Sequence, residues 1–79
     1  MNEEKRSEHQ IWESITRHEW GRQSKYAKTA MMAAEYTAEA IADKYAPLEG
    51  LAFSAVCNTL LKLYDERLQR EAERAELNK

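Results

Sequence analysis

Seventy-nine residues bound the molecule to one domain, which buries only about 60% of the surface of its unfolded chain. Charged side chains make up 33% and apolar ones 43%, with two Gly and one Pro; this excludes collagenous, Pro-rich and low-complexity classes and disfavours sheets, which need turn residues at intervals. Twelve basic against fourteen acidic residues leave a net charge of −2, which argues against a duplex-binding protein, and a single Cys excludes an internal disulfide.

The opening Met-Asn-Glu-Glu-Lys-Arg lacks the apolar stretch of a signal peptide, and no apolar run approaches the roughly 18–20 residues of a membrane span. With no staple for a small core, the expectation is a cytoplasmic protein that makes no membrane contact. The fold class expected is all-α over residues 1–79: a short N-terminal helix followed by a long antiparallel helical hairpin, assembling into an oligomeric helical bundle.

The first helix is expected over about 7–20. Ser7-Glu8-His9-Gln10 reads as a capping box, and Ile11, Trp12, Ile15 and Trp20 form a broad apolar face. Gly21 then closes the helix as a left-handed cap, with Ser24 capping the next one. The alternative runs the helix through Gly21 at a cost of about 1 kcal/mol relative to Ala.

The second helix is expected over about 24–45, or roughly 33 Å. Ala27, Met31, Ala34, Ala38, Ile41 and Tyr45 alternate spacings of four and three, the seam of a helix packed on another. Ala at 30, 33, 40 and 42 raises helicity and lets a neighbouring backbone approach closely. Met32 and Tyr36 point to the opposite side, so the first helix or a partner has to cover them.

Ala46-Pro47 ends this helix, because the residue before Pro avoids the α region, and Pro47 is placed as the first residue of the third. A linker of about two residues makes the flanking helices antiparallel. The third helix, about 47–76, carries Phe53, Cys57, Leu60, Leu61, Tyr64 and Leu68 on one face, widened by Val56 and Leu63. Its charged end offers the pairs Glu66–Arg70 and Arg70–Glu73.

Reactive groups are scarce. The two His, His9 and His18, lack the spacing of a metal site, and Cys57 sits in mid-helix, where a thiol is usually inert packing. No catalytic residue, metal ligand or cofactor is expected, and the chain is read as non-enzymatic. Two clusters remain. Trp12, Trp20, Met32 and Tyr36 are the candidate partner-binding residues, since Trp and Tyr dominate contact hot spots, unless the first helix folds over and buries them. Arg17, Arg22, Lys25, Tyr26 and Lys28 combine cations with an aromatic ring, as anionic ligands require, although the acids Glu35, Glu39 and Asp43 of a neighbouring protomer also match them.

The function expected is therefore a small protein–protein interaction module, an adaptor, inhibitor or regulator. Accessory factors of phages and mobile elements share its size and class. Its partner is another protein, and self-association, with a dimer favoured, follows from a second helix that is apolar on two sides. The alternatives are an oligomeric protein that sequesters an anionic ligand such as a nucleotide, and a nucleic-acid-binding protein using the Arg17–Lys28 cluster.

Overall fold

The computed structural model describes residues 7–77; the opening segment Met1–Arg6 and the last two residues lie outside the described residues. It is all-helical: α1 (Glu8–Gln23), α2 (Ala30–Tyr45) and α3 (Gly50–Leu77), with no strand among the described residues. At 28 residues α3 is about 42 Å long and sets the longest dimension of a body of 51 × 28 × 18 Å. The most extensive helix packing is between α1 and α3, with α2 contacting both.

The N-terminal cap forms as the sequence predicts: the Ser7 hydroxyl accepts a hydrogen bond from the Gln10 amide at 3.2 Å. The break after α1 is displaced. Gly21 is helical, and α1 ends at Gln23 in a 3₁₀ turn, Ser24–Tyr26, followed by extended Ala27. Ser24 therefore caps the end of α1 and does not start α2. The cap of α2 is Thr29, whose hydroxyl accepts from the Met32 amide at 3.1 Å.

A side chain from the far end of the sequence holds this corner. The Arg67 guanidinium donates to the carbonyls of Ser24 at 3.3 Å and Ala27 at 2.9 Å, and to Glu71 at 2.9 Å. The Ser24 carbonyl also accepts from the Ala27 amide at 3.2 Å within the turn, and the planar fork of Arg reaches both corner carbonyls at once. The ion pair along α3 is thus Arg67–Glu71, in place of Glu66–Arg70 and Arg70–Glu73.

The second corner also differs from expectation. Ala46 to Glu49 form a linker with a cis Ala46–Pro47 bond, and α3 starts at Gly50, so Pro47 is outside the helix. Gly50 has φ +57°, a left-handed conformation that turns the chain into α3 and that glycine adopts without the steric cost of a Cβ.

The packed faces correct the expected ones. On α2 the buried residues are Ala30, Ala33, Thr37 and Ile41, whereas Met31, Ala38 and Tyr45 are exposed. On α3 they are Ala52, Ala55, Val56, Thr59 and Leu63. Alanine and threonine predominate on these faces, alongside Ile41, Val56 and Leu63. Threonine joins these faces because its hydroxyl can be satisfied by its own helix: Thr16 donates to the Trp12 carbonyl and Thr37 to the Ala33 carbonyl, each at 2.7 Å. One larger cluster, Trp20, Ala27, Ala33 and Leu63, is covered by Met32, Tyr36, Leu60 and Tyr64.

The two glycines make opposite predictions. A Cβ at either position meets nothing within 4 Å, so backbone conformation alone decides. Gly21→Ala should stabilise the fold by about 0.5–1 kcal/mol, and Gly50→Ala should destabilise it by about 1–2 kcal/mol, in urea melts of the two variants.

Candidate functional site

The apolar face of α3 marked out by its spacing is only partly covered within the protomer. Phe53 is 56% exposed, Leu61 64% and Leu68 41%, with Cys57, Leu60 and Tyr64 half-buried. At 100° per residue this row is centred about 130° round the helix from the buried face. From Gly50 to Tyr64 the sole charged residue is Lys62, far round the helix from the row. A solvent-facing helix normally carries its charges there. An apolar strip free of charge is the mark of a contact surface.

The expected partner-binding cluster is largely internal. Trp20 is 7% exposed and belongs to the core, so it is not part of an open contact surface. Met32 and Tyr36 are half-buried against the same cluster. Trp12, also half-buried, packs edge-on against Tyr45 with ring centroids 5.3 Å apart at 89°. The spacing of the exposed row is legible in the sequence; which way the row faces is not.

The expected anion-binding cluster is dispersed. Arg17 pairs with Glu13 at 3.4 Å on the surface of α1. Arg22, Lys25 and Tyr26 border a shallow depression beside the 3₁₀ turn. Lys28 alone joins a larger open groove of about 560 Å³, which it lines with Trp20, Ser24, Arg67, Arg70, Glu71 and Arg74. Arg67, Arg70 and Arg74 continue the core-facing side of α3 past the end of α1, at spacings of three and four. Arg67 is engaged by the corner carbonyls; Lys28, Arg70 and Arg74 form no ion pair among the described residues. The arginine spacing was a signal in the sequence, but its meeting with Lys28 depends on how far α3 overshoots.

The most perturbed carboxylate is structural. Glu19 is 2% exposed and binds Lys44 of α2 at 2.5 Å and the Gln23 amide at 3.3 Å. The Lys44 hydrogen bond outweighs desolvation and holds the Glu19 carboxyl below its ordinary value of 4.5. His9 is half-buried and His18 exposed, and no group of three or more His, Cys, Asp or Glu able to hold a metal occurs among the described residues. No helix among them is long and apolar enough to cross a membrane.

A carboxyl whose pKa is lowered by folding contributes stability that is present above its unfolded pKa and is lost as pH falls through the folded one. Chemical melts should therefore show stability falling from about pH 5 downward, and Glu19→Gln should flatten that slope. Lys44→Met should cost about 1–2 kcal/mol near neutrality, less than for a fully buried pair because Lys44 is half-exposed.

No family model matches this chain, and no curated protein or solved structure gives a significant match to it.

Proposed function

We propose that this chain is a small non-enzymatic interaction module, an adaptor, inhibitor or regulator, which binds another protein through the exposed apolar row of α3. The observation that carries this reading is the row itself: Phe53 and Leu61 open to solvent on a stretch whose sole charge is Lys62, with Leu68 exposed on the same side just beyond it. Exposed apolar side chains scattered singly are ordinary, but a contiguous row along one helix face is the surface that helix-on-helix recognition uses. In this reading α2 and α3 act as an antiparallel hairpin braced by α1, and a further chain completes the bundle on the far side of α3. The side chains that take part are anchors for packing, and nothing is transformed.

The test is capture from the cells that naturally make the protein, with the wild type, Phe53→Glu and Leu61→Glu as parallel baits. One stoichiometric protein is expected with the wild type and should be lost with both variants, whose helical content stays unchanged because both positions are exposed. Equal recovery by all three baits, or recovery of the bait alone, contradicts the proposal.

The groove favours a second reading, the holding of an anionic ligand such as a nucleotide by Lys28, Arg70 and Arg74 above Trp20. A ligand present at 100 times its Kd adds about 2.7 kcal/mol of stability. A nucleotide panel should then raise the melting temperature of the wild type and leave Arg70→Ala/Arg74→Ala unmoved; a flat response from both removes this reading.

A further inference from the structure

The apolar row on α3 reads the same in both directions. Phe53, Cys57, Leu60, Leu61, Tyr64 and Leu68 are separated by steps of 4, 3, 1, 3 and 4 residues. Resting on the reading of this row as a contact surface, we propose that its occupant is a second copy of this chain. The two α3 helices run antiparallel about a two-fold axis between Leu60 and Leu61.

Spacing supplies the first argument. An isologous interface requires a patch that is complementary to itself. Reversing α3 about the Leu60–Leu61 midpoint brings Phe53 opposite Leu68, Cys57 opposite Tyr64, and Leu60 opposite Leu61 of the second copy. Each pair sets a side chain against one it can pack with, and the small thiol faces the large phenol ring. A foreign helix imposes no such symmetry on the row.

Charge selects the direction. In a parallel, in-register pair the two Glu71 side chains, about 30° from the row's centre, face each other, and like charges repel across the contact. In the antiparallel register Asp65 comes opposite the stretch holding Ser54 and Asn58, whose hydroxyl and amide can donate to it. Lys62 lies about 150° round the helix from the row's centre and stays in solvent.

Size is sufficient. The two helices overlap from residue 50 to residue 71, a contact about 33 Å long. The exposed parts of the row amount to on the order of 400 Å² per chain, already a large patch for a monomer. The flanking surface of a contact this long brings it toward the roughly 800 Å² per partner of a stable interface.

The decisive experiment joins mass with cross-linking in the full chain. Light scattering should give a dimer for the wild type. Leu61→Glu, which places a carboxylate from each copy beside the axis, should weaken dimerisation at least about 100-fold while retaining full helicity. In a Cys57→Ser background, Phe53→Cys with Leu68→Cys should oxidise to a covalent dimer linked 53 to 68 between chains. Within one chain these positions are about 22 Å apart, so they cannot link to each other. In the wild type the two Cys57 thiols are offset by about 10 Å along the axis and should not cross-link.

A fully helical wild-type monomer at high concentration overturns the proposal. So does a dimer that is indifferent to Leu61→Glu, or one that links readily through Cys57. A monomer that still loses a foreign partner on Leu61→Glu leaves the interaction-module reading standing without this one. A dimer linked 53 to 68 that captures no foreign protein does the reverse.

Discussion

Small side chains build the interior, and the rest of the molecule follows from that constraint. Ala30, Ala33, Ala52 and Ala55 line the faces of α2 and α3, with Thr16, Thr37 and Thr59 filling positions between them. Small side chains on these faces let backbones approach closely, and Ile41, Val56 and Leu63 are the larger residues buried with them. Phe53, Leu61 and Leu68 are turned outward on α3, while Leu63 is buried and Trp20 packs with it beside Ala27 and Ala33.

The far half of α3 has a different job. Its last buried residue is Leu63; Tyr64 still packs on the core cluster, and Arg67 reaches the corner that follows α1. There its guanidinium donates to two carbonyls between α1 and α2. This ties the break in the N-terminal half to a residue about forty positions later. The same half of α3 carries Arg70 and Arg74 over Lys28 and so creates the basic groove.

The sequence made the helical class legible, because three amphipathic segments, few turn residues and one Pro leave little else. It made the Ser7 cap legible as well, since that bond spans three residues. It did not reveal which face of α2 and α3 is packed. Hydropathy ranks Met31 above Thr37 and Leu61 above Ala55, yet closeness of approach decides, and a threonine satisfied by its own helix behaves as a small apolar residue. Nor did it reveal the corner: Gly21 looked like a cap, but the carbonyls released further on are claimed by Arg67. The Glu19–Lys44 pair is hidden for the same reason, as it joins residues on different helices. The apolar row is legible residue by residue from its spacing, whereas the side it faces depends on how the three helices pack.

The central claim, that this row is covered in the working protein, has a built-in reporter in Cys57, the chain's single cysteine. The direct measurement is the rate at which a maleimide labels that thiol as protein concentration is raised. Burial by a second copy predicts a rate that falls with concentration in the wild type and stays constant in Leu61→Glu. A constant rate in both, at concentrations well above micromolar, contradicts the account.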